Sequence, residues 1–465
     1  MAITRYLSLF ADFLNSSGVL GYSGGGTGIS STPSAGQIDI GNGTGFTRTT
    51  ITPGTGINVS NGPGTITIST SGPSAGSVDW INVKSAPYNA AGDGVTDDTS
   101  AINAAIAVLN ASSYGGVLYF PAGTYKITAV LTTITRSGVY LLGDNDYASI
   151  IAPTGVSPAG DNGIITFKST TSGSRLYGGG ITNLQVRCTS MSSGTVIVND
   201  YTKDFFISNV ALWYSYNGIY MRQYNSTTLQ NMRMESIAGS YGIKCYGDGS
   251  TRNGETDRSD ILDLSAITMI GGAPTYTPNL IWLDGFIQTV NLSNLNLSTG
   301  NYGIYCSNTP SVASGNWVSF VVGNNIEIQN SINNAIYGIY LYDGYFNNIA
   351  VNTTTSGDGI LFSSNCTRIS LSSGVVENCH FHGVNVNGAT YVSLNNLYSK
   401  SNGSSGIYTP SPSASVMVTG GAYYSNSRYG WDGSTGTNLA GAAVNFQGNT
   451  LGSTFGTISL AAAFV

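Results

Sequence analysis

A tetrapeptide of the form Gly-Ile-x-apolar returns along the second half of this chain, and its spacing constrains the fold more than any other feature. It reads Gly218-Ile219-Tyr220-Met221, Gly242-Ile243-Lys244-Cys245, Gly303-Ile304-Tyr305-Cys306, Gly338-Ile339-Tyr340-Leu341, Gly359-Ile360-Leu361-Phe362, Gly383-Val384-Asn385-Val386 and Gly406-Ile407-Tyr408-Thr409. Successive glycines lie 24 residues apart from Gly218 to Gly242, 21 from Gly338 to Gly359, 24 from Gly359 to Gly383 and 23 from Gly383 to Gly406, and Gly194 and Gly430 fit the same count. A period of this length describes units that stack on their neighbours, not a globule with one centre. A second apolar alternation follows within each unit, as in Val290-x-Leu292, Ile349-x-Val351 and Val392-x-Leu394. Period two puts these residues inside and their neighbours outside, which makes Cys245 and Cys306 core residues. The outward position of the first strand then reads Tyr220, Lys244, Tyr305, Tyr340, Leu361, Asn385 and Tyr408. On rungs about 4.8 Å apart these tyrosines form a broken aromatic ladder, suited to stacking sugars or to packing another subunit.

Ahead of the repeat stands GDGVTDDTSAINAAIAVLNASSYGGVLYFPAGTY, from Gly92 to Tyr125. Ala101, Ile102, Ala105, Ile106 and Leu109 make one apolar stripe of a short helix. Asp97, Asp98 and Thr99 offer N-cap oxygens, and Val117 to Phe120 read as a strand that Pro121 and Gly123 stop. This segment resembles the entry of the pectate lyase-like right-handed parallel β-helix proteins, among them polysaccharide lyases, glycoside hydrolases and phage tailspikes. The resemblance implies that the helix closes the open end of a hydrophobic coil stack and that its aspartates are caps and turn formers. The N-T-D, paired-Asp and G-H-G motifs of polygalacturonase-like members are absent from this sequence, as is a calcium-binding cluster of the pectate lyase type, so the resemblance supplies no catalytic residues.

Composition narrows the partners. Among 465 residues only 17 are basic and 23 acidic, a net charge of −6, which disfavours nucleic acid. No apolar run reaches 18 residues, so no membrane-spanning helix is expected. Asp12 interrupts the apolar patch near the N-terminus and no small-residue cleavage site follows, so no secretory leader is expected. Five scattered cysteines give neither a disulfide framework nor a zinc site, and no metal or cofactor is expected.

Residues 1–76 follow a different grammar, with short alternating runs such as Gln37-Ile38-Asp39-Ile40 and Thr65-Ile66-Thr67-Ile68 between Gly-, Asn- and Pro-rich turns. Strands this short call for partners from other chains. The phrases GGTG, IGNGTGF and GTGINVSNGPGTITI resemble the stems of tail fibres and tailspikes, whose chains intertwine as trimers. That resemblance implies a homotrimer held to the phage tail or an adaptor protein through residues 1–30. Ser71 to Ser77 read as a linker.

Two dense spots stand out of the charge-poor background. Between Asp248 and Asp260, six charges fall in thirteen positions: Asp248, Arg252, Glu255, Asp257, Arg258 and Asp260. The local spacing is too long for one rung, so a loop projecting from the solenoid is expected there, as a binding or catalytic loop or a salt-bridge cluster. The second spot holds Asp358, Arg368, Glu377, His380, His382 and Lys400. Aligning rungs places Glu377 and Lys400 at equivalent positions one rung apart, with Asp358 near the same position one rung earlier. Paired carboxylates are what glycoside hydrolysis needs. The two histidines read as a stacked, hydrogen-bonded pair in preference to a metal site. A third insertion, from Ser307 to Ala335 with Trp317 and Glu327, is expected to form another loop.

The expectation is an all-β chain: a Gly-rich β stem over 1–76, a right-handed parallel β-helix of about 23 residues per rung over 77–430 with a short N-terminal capping helix, and a C-terminal cap or trimer contact over 431–465. The expected function is a homotrimeric tailspike or receptor-binding protein of a phage virion tail, made in the host cytoplasm, that recognises a bacterial surface polysaccharide. A depolymerase hydrolysing that polysaccharide and a purely structural tail component are the alternatives. Candidate catalytic residues are Glu377, Asp358, Glu255 and Asp257. Candidate glycan contacts are Tyr220, Tyr305, Tyr340, Tyr408, Arg252, Arg258, His380, His382 and Lys400.

Overall fold

The computed structural model describes residues 20, 26–54, 56–70, 79–160, 162–272, 277–308, 317–433, 438–456 and 458–464. They fall in two compact units, Met1–Ser77 and Val78–Val465. Most of the expected attachment segment, the expected linker and the side chains of the apolar tail lie outside the described residues.

In the first unit, Gln37–Gly41 pairs with Phe46–Thr50 and Ile57–Gly62 with Thr65–Thr70, both antiparallel. The strands thus find partners within their own chain. In the first hairpin Asn42 Oδ1 accepts the Thr44 and Gly45 N–H groups at 3.1 and 2.8 Å, and Arg48 pairs with Asp39 at 2.7 Å across the ladder. The second turns at Gly62-Pro63-Gly64-Thr65, where Gly64 has φ +71° behind a proline that presets its own φ.

The second unit is a right-handed parallel β-helix of about 14 turns. Two parallel sheets run along it, one of 20 strands and one of 12. The short strands of the 12-stranded sheet carry the tetrapeptide. Ile219, Ile243, Ile304, Ile360, Val384 and Ile407 are fully buried one above another, with Met221, Cys245, Cys306 and Phe362 stacked two positions on. The glycine recurs because the next rung occupies the space a side chain needs. A Cβ on Gly218 would lie 2.4 Å from the Gly242 carbonyl oxygen, and one on Gly359 2.7 Å from that of Gly383.

Two rungs escape the motif. Asn279–Gly285 pairs on both sides as a full rung although it carries Leu280 where the glycine stands elsewhere. The rung after Tyr302–Ser307 is Ile336–Gly338, because Ile304 pairs with Ile336 and Ile336 with Ile360. Gly338-Ile339-Tyr340-Leu341 therefore imitates the motif without occupying its register, and Leu341 opens the following long strand. Gly194 is also displaced: Ile197 pairs with Ile219, which sets Val196, not Gly194, opposite Gly218.

The strands of the 20-stranded sheet reach 14 residues, as in Val318–Ser331 and Leu341–Thr354. Such lengths fit in a rung only because each strand bends where a residue takes positive φ. One corner stacks Asn183, Asn209, Asn231, Asn294, Asn325, Asn348 and Asn396, with φ from 50° to 56°. Asparagine tolerates this conformation, and its amides link rungs, from Asn209 to Asn183 at 3.0 Å, Asn325 to Asn294 at 2.7 Å and Asn348 to Asn325 at 3.0 Å. Uncharged polar stacking thus does the work that charge does elsewhere.

The helix spans Thr99–Ala111 and buries Ile102, Ala105, Ile106 and Leu109 in the continuous core. Its aspartates organise turns, with one departure from expectation. Asp97 Oδ1 accepts the Thr99 N–H at 3.0 Å, whereas Asp98 turns back to accept those of Ala91 and Gly92 at 2.7 and 3.0 Å. Strand pairing does not stop at residue 430, where a separate C-terminal segment was expected. Tyr429–Gly433 pairs with Gly452–Gly456, Asn438–Asn445 with Ser459–Phe464, and Trp431 is fully buried.

Candidate functional site

The insertion after residue 247 folds as a small hairpin, Thr251–Arg252 against Glu255–Thr256. Asn253 and Gly254 take φ of +54° and +76°, the pair of positive values that a tight two-residue hairpin turn requires. Instead of projecting, the hairpin folds back over earlier rungs. Asn253 O accepts the Gly173 N–H at 2.8 Å and the Tyr201 hydroxyl at 3.2 Å, and Arg252 O accepts Gln223 Nε2 at 2.8 Å.

Its charges are consumed in ion pairs. Arg252 Nη2 meets Asp200 Oδ2 at 2.6 Å, Arg222 Nε meets Asp257 at 2.7 Å, Arg222 Nη2 meets Asp248 at 2.9 Å, Arg175 meets Glu255 at 2.6 Å and Arg258 meets Asp260 at 2.9 Å. Asp257 is 0% exposed, and burial pushes its carboxyl up against the pull of Arg222. No substrate reaches it, so the expectation of Asp257 as a catalyst fails on accessibility. Arg252, held on buried Asp200, is a strut of the same kind.

Folding back creates a cavity of about 570 Å³, lined by Arg175, Tyr177, Lys203, Asn225, Gly254, Glu255, Thr256, Arg258 and Asp260. Its floor is a column across the sheet, since Tyr177 pairs with Lys203, Lys203 with Asn225 and Asn225 with Asp260. The hairpin supplies the wall. Tyr177 is 54% exposed, and Lys203 Nζ lies 5.8 Å from its ring centroid. Glu255 stays accessible beside Arg175, while burial raises the Asp260 carboxyl against the opposing Arg258 and Arg175. Two carboxylates in different surroundings thus share one polar cavity. A smaller hollow of about 320 Å³ follows the asparagine corner, with Glu327 among its lining residues.

The second dense spot is not one site. Glu377 and Lys400 are register partners and meet at 2.8 Å, as aligned from the sequence. Asn352, not Asp358, precedes Glu377 in that column. Asp358 belongs to the other sheet's side, is 5% exposed, and accepts the His382 N–H and Asn385 Nδ2, both at 2.9 Å. Burial raises its carboxyl, which those hydrogen bonds partly offset. The histidines are not stacked on each other. His382 stacks on Tyr408 at 4.1 Å and accepts the Ser405 N–H on Nδ1 at 3.2 Å, whereas exposed His380 lies edge-on to Phe381 at 4.5 Å. Burial lowers the His382 pKa to about 4, which keeps the ring neutral. Arg368 is paired with Asp343 at 2.6 Å. Among the described residues no cluster of three or more His, Cys, Asp or Glu side chains could hold a metal.

The aromatic ladder exists with altered membership. Its column runs Tyr220, Lys244, Trp282, Tyr305, Tyr337, Leu361, Asn385, Tyr408. Tyr340 lies outside it, beside Trp317 at 6.1 Å. Trp282 and Tyr337 were hidden because their rungs lack the leading glycine. Tyr302, Tyr305 and Tyr337 pack at 4.8 to 5.5 Å, and Lys244 Nζ sits 3.5 Å from the Trp282 ring centroid while pairing with Asp284 at 3.0 Å. These half-buried rings spend their faces on each other. The third insertion is mainly the strand Val318–Ser331, with residues 309–316 outside the described set.

Residues 80–259, the first coils and the hairpin, match the family described as rhamnogalacturonase A/epimerase, pectate lyase-like. The fold is shared with tailspike protein 3 of bacteriophage CBA120, at 13% identity and a TM-score of 0.56 over 82% of this chain and 59% of that one. It is also shared with pre-mature gene product 12 of bacteriophage phi29, at 13% identity and a TM-score of 0.52 over 83% of this chain and 57% of that one. A curated relative, the non-secreted LysM effector LysM15 of Penicillium expansum, is 30% identical over 182 residues, which are 35% of this chain and 12% of the relative.

Proposed function

We propose that this protein is a tailspike-type receptor-binding protein that recognises a bacterial surface polysaccharide in the cavity beneath the 251–256 hairpin. The observation that carries this reading is the cavity itself: about 570 Å³, lined by both signs of charge, an amide and an exposed tyrosine, on a rigid sheet. Polar groups fix the hydroxyls of a sugar and an aromatic face takes its ring. The protein acts as a homotrimer in the virion tail, with the phage tail or an adaptor held through residues 1–30 and the β-helix presented to the host.

Hydrolysis is the second reading, favoured by one observation. Glu255 and Asp260 line the same cavity, and burial holds Asp260 toward its protonated form. A carboxylic acid and a carboxylate in one cleft are the pair a glycosidase uses. Incubating the purified protein with host envelope polysaccharide separates the readings. Retention without new reducing ends supports recognition; reducing ends that vanish in Asp260→Asn and Glu255→Gln support hydrolysis. Absence of both leaves only the structural tail role. Light scattering reads the oligomer: three times the chain mass supports the trimer, and a monomer overturns it.

A further inference from the structure

The cations of the cavity are unequal. Arg175 is committed to Glu255 and Arg258 to Asp260, but among the described residues Lys203 makes no ion pair. Asp204, next in sequence, occupies a positive-φ corner and does not line the cavity. Lys203 and the exposed Tyr177 sit side by side on adjacent rungs, with Lys203 Nζ 5.8 Å from the ring centroid. A ring lying on Tyr177 therefore carries its exocyclic substituent to an ammonium that is engaged in no ion pair among the described residues.

The rungs that follow give the direction of the chain. Asn225 and Asp260 continue the column toward the C-terminal rungs, so the four side chains span three rung spacings, about 14 Å. That length accommodates a run of sugars laid along the solenoid axis, with an amide and then a carboxylate to meet successive hydroxyls. We infer that the cavity selects an acidic polysaccharide: a sugar carboxylate pairs with Lys203 while its ring stacks on Tyr177, and the chain runs past Asn225 to Asp260. This inference rests on the reading of the cavity as a saccharide site. A neutral sugar leaves Lys203 with only its contact to the Tyr177 ring, whereas a carboxylate makes a charge-assisted hydrogen bond there.

The test uses the full-length protein and a panel of uronate-containing bacterial capsular polysaccharides, each also with its carboxyls reduced to alcohols, compared by affinity electrophoresis at one ionic strength. The native acidic form should bind roughly tenfold or more tighter than its reduced counterpart, the effect of one charge-assisted hydrogen bond. Lys203→Met should abolish that preference, Lys203→Arg should keep it, and Tyr177→Ala should weaken both forms, all with unchanged thermal melting. Equal binding of acidic and reduced forms, or a preference that survives Lys203→Met, overturns the acidic-sugar inference and leaves saccharide recognition standing. Retention of neither form by any variant or by the wild type overturns both.

Discussion

The hairpin region around Asp257 and the rungs around Glu377 look alike as strings of charge and differ as structures. Around Glu377 the charged residues stay in the ladder: Glu377 finds Lys400 on the next rung, Arg368 finds Asp343, and Asp358 is absorbed by backbone and amide donors. Around Asp257 the chain leaves the ladder, turns at Asn253-Gly254 and returns over earlier rungs, and its ion pairs bridge segments up to 80 residues apart, as Arg175 does with Glu255. The second arrangement encloses a cavity of about 570 Å³. In a solenoid, then, charge density does not by itself open a cavity; an insertion that departs from the wall and is pinned back onto it does.

The largest expected effect lies at the pins. Asp257→Ala removes both Arg222 bonds to a fully buried carboxylate and leaves Asp248 as the arginine's remaining partner, so it should cost about 3 kcal/mol, the low end for breaking a buried pair, read as a lowered denaturation midpoint. A loss as small as that of an exposed pair would erase the distinction between the two regions.

The next effect belongs to the other region and depends on pH. His382 is neutral in the folded protein down to about pH 4, while in the unfolded chain it protonates near its ordinary value of 6.5. As pH falls from 6.5 toward 4, protons favour the unfolded state, so stability declines across that window and the decline levels off below it. The full loss is up to about 3 kcal/mol. Asp358 and Asp260, whose carboxyls are raised, act in the opposite sense near the acid end of the window. Denaturation midpoints at several pH values check this: His382→Phe, which keeps a ring against Tyr408, should flatten the slope between pH 6.5 and 4. An unchanged slope contradicts it.

Smaller effects complete the contrast. Gly254→Val forces a β-branched residue to φ +76°, with Ser172 Oγ and Gly173 N only at ordinary contact distance, for about 1–2 kcal/mol of strain confined to the hairpin. Weakened saccharide retention with nearly unchanged melting is the expected result. Glu377→Gln removes a partly exposed pair and should cost no more than about 1 kcal/mol, with saccharide binding and any cleavage untouched. A loss of binding there would return the site to the rungs around residue 377.

The architecture was legible in the sequence because it repeats. Stacked isoleucines, inward cysteines and the glycine imposed by the next rung's carbonyl follow from local period and close packing, and so does the Glu377–Lys400 alignment. Register failed where the motif was counterfeited. Gly338-Ile339-Tyr340-Leu341 has the right letters, but Ala335 is small enough to take the glycine's place two rungs after Leu280 did so, and the rung sits at Ile336. That slip replaced Tyr337 with Tyr340, and Leu280 in the glycine's place hid Trp282. The cavity was half legible: six charges in a short insertion announced a loop, which was expected to project, and Asn253-Gly254 could have announced its turn back onto the wall. Its floor could not be seen, because Tyr177 and Lys203 carry no motif and become neighbours of Asp260 only through the stacking of four rungs.

In the proposed function, saccharide binds under the hairpin and not on the aromatic ladder or the Glu377 rungs. The direct measurement is a crystal structure of the protein soaked with oligosaccharides released from the polysaccharide it retains. Sugar density along Tyr177, Lys203, Asn225 and Asp260, walled by Glu255 and Thr256, is the predicted result. Density against Tyr305 and Tyr337, or beside Glu377 and Lys400, with the cavity empty, would contradict it.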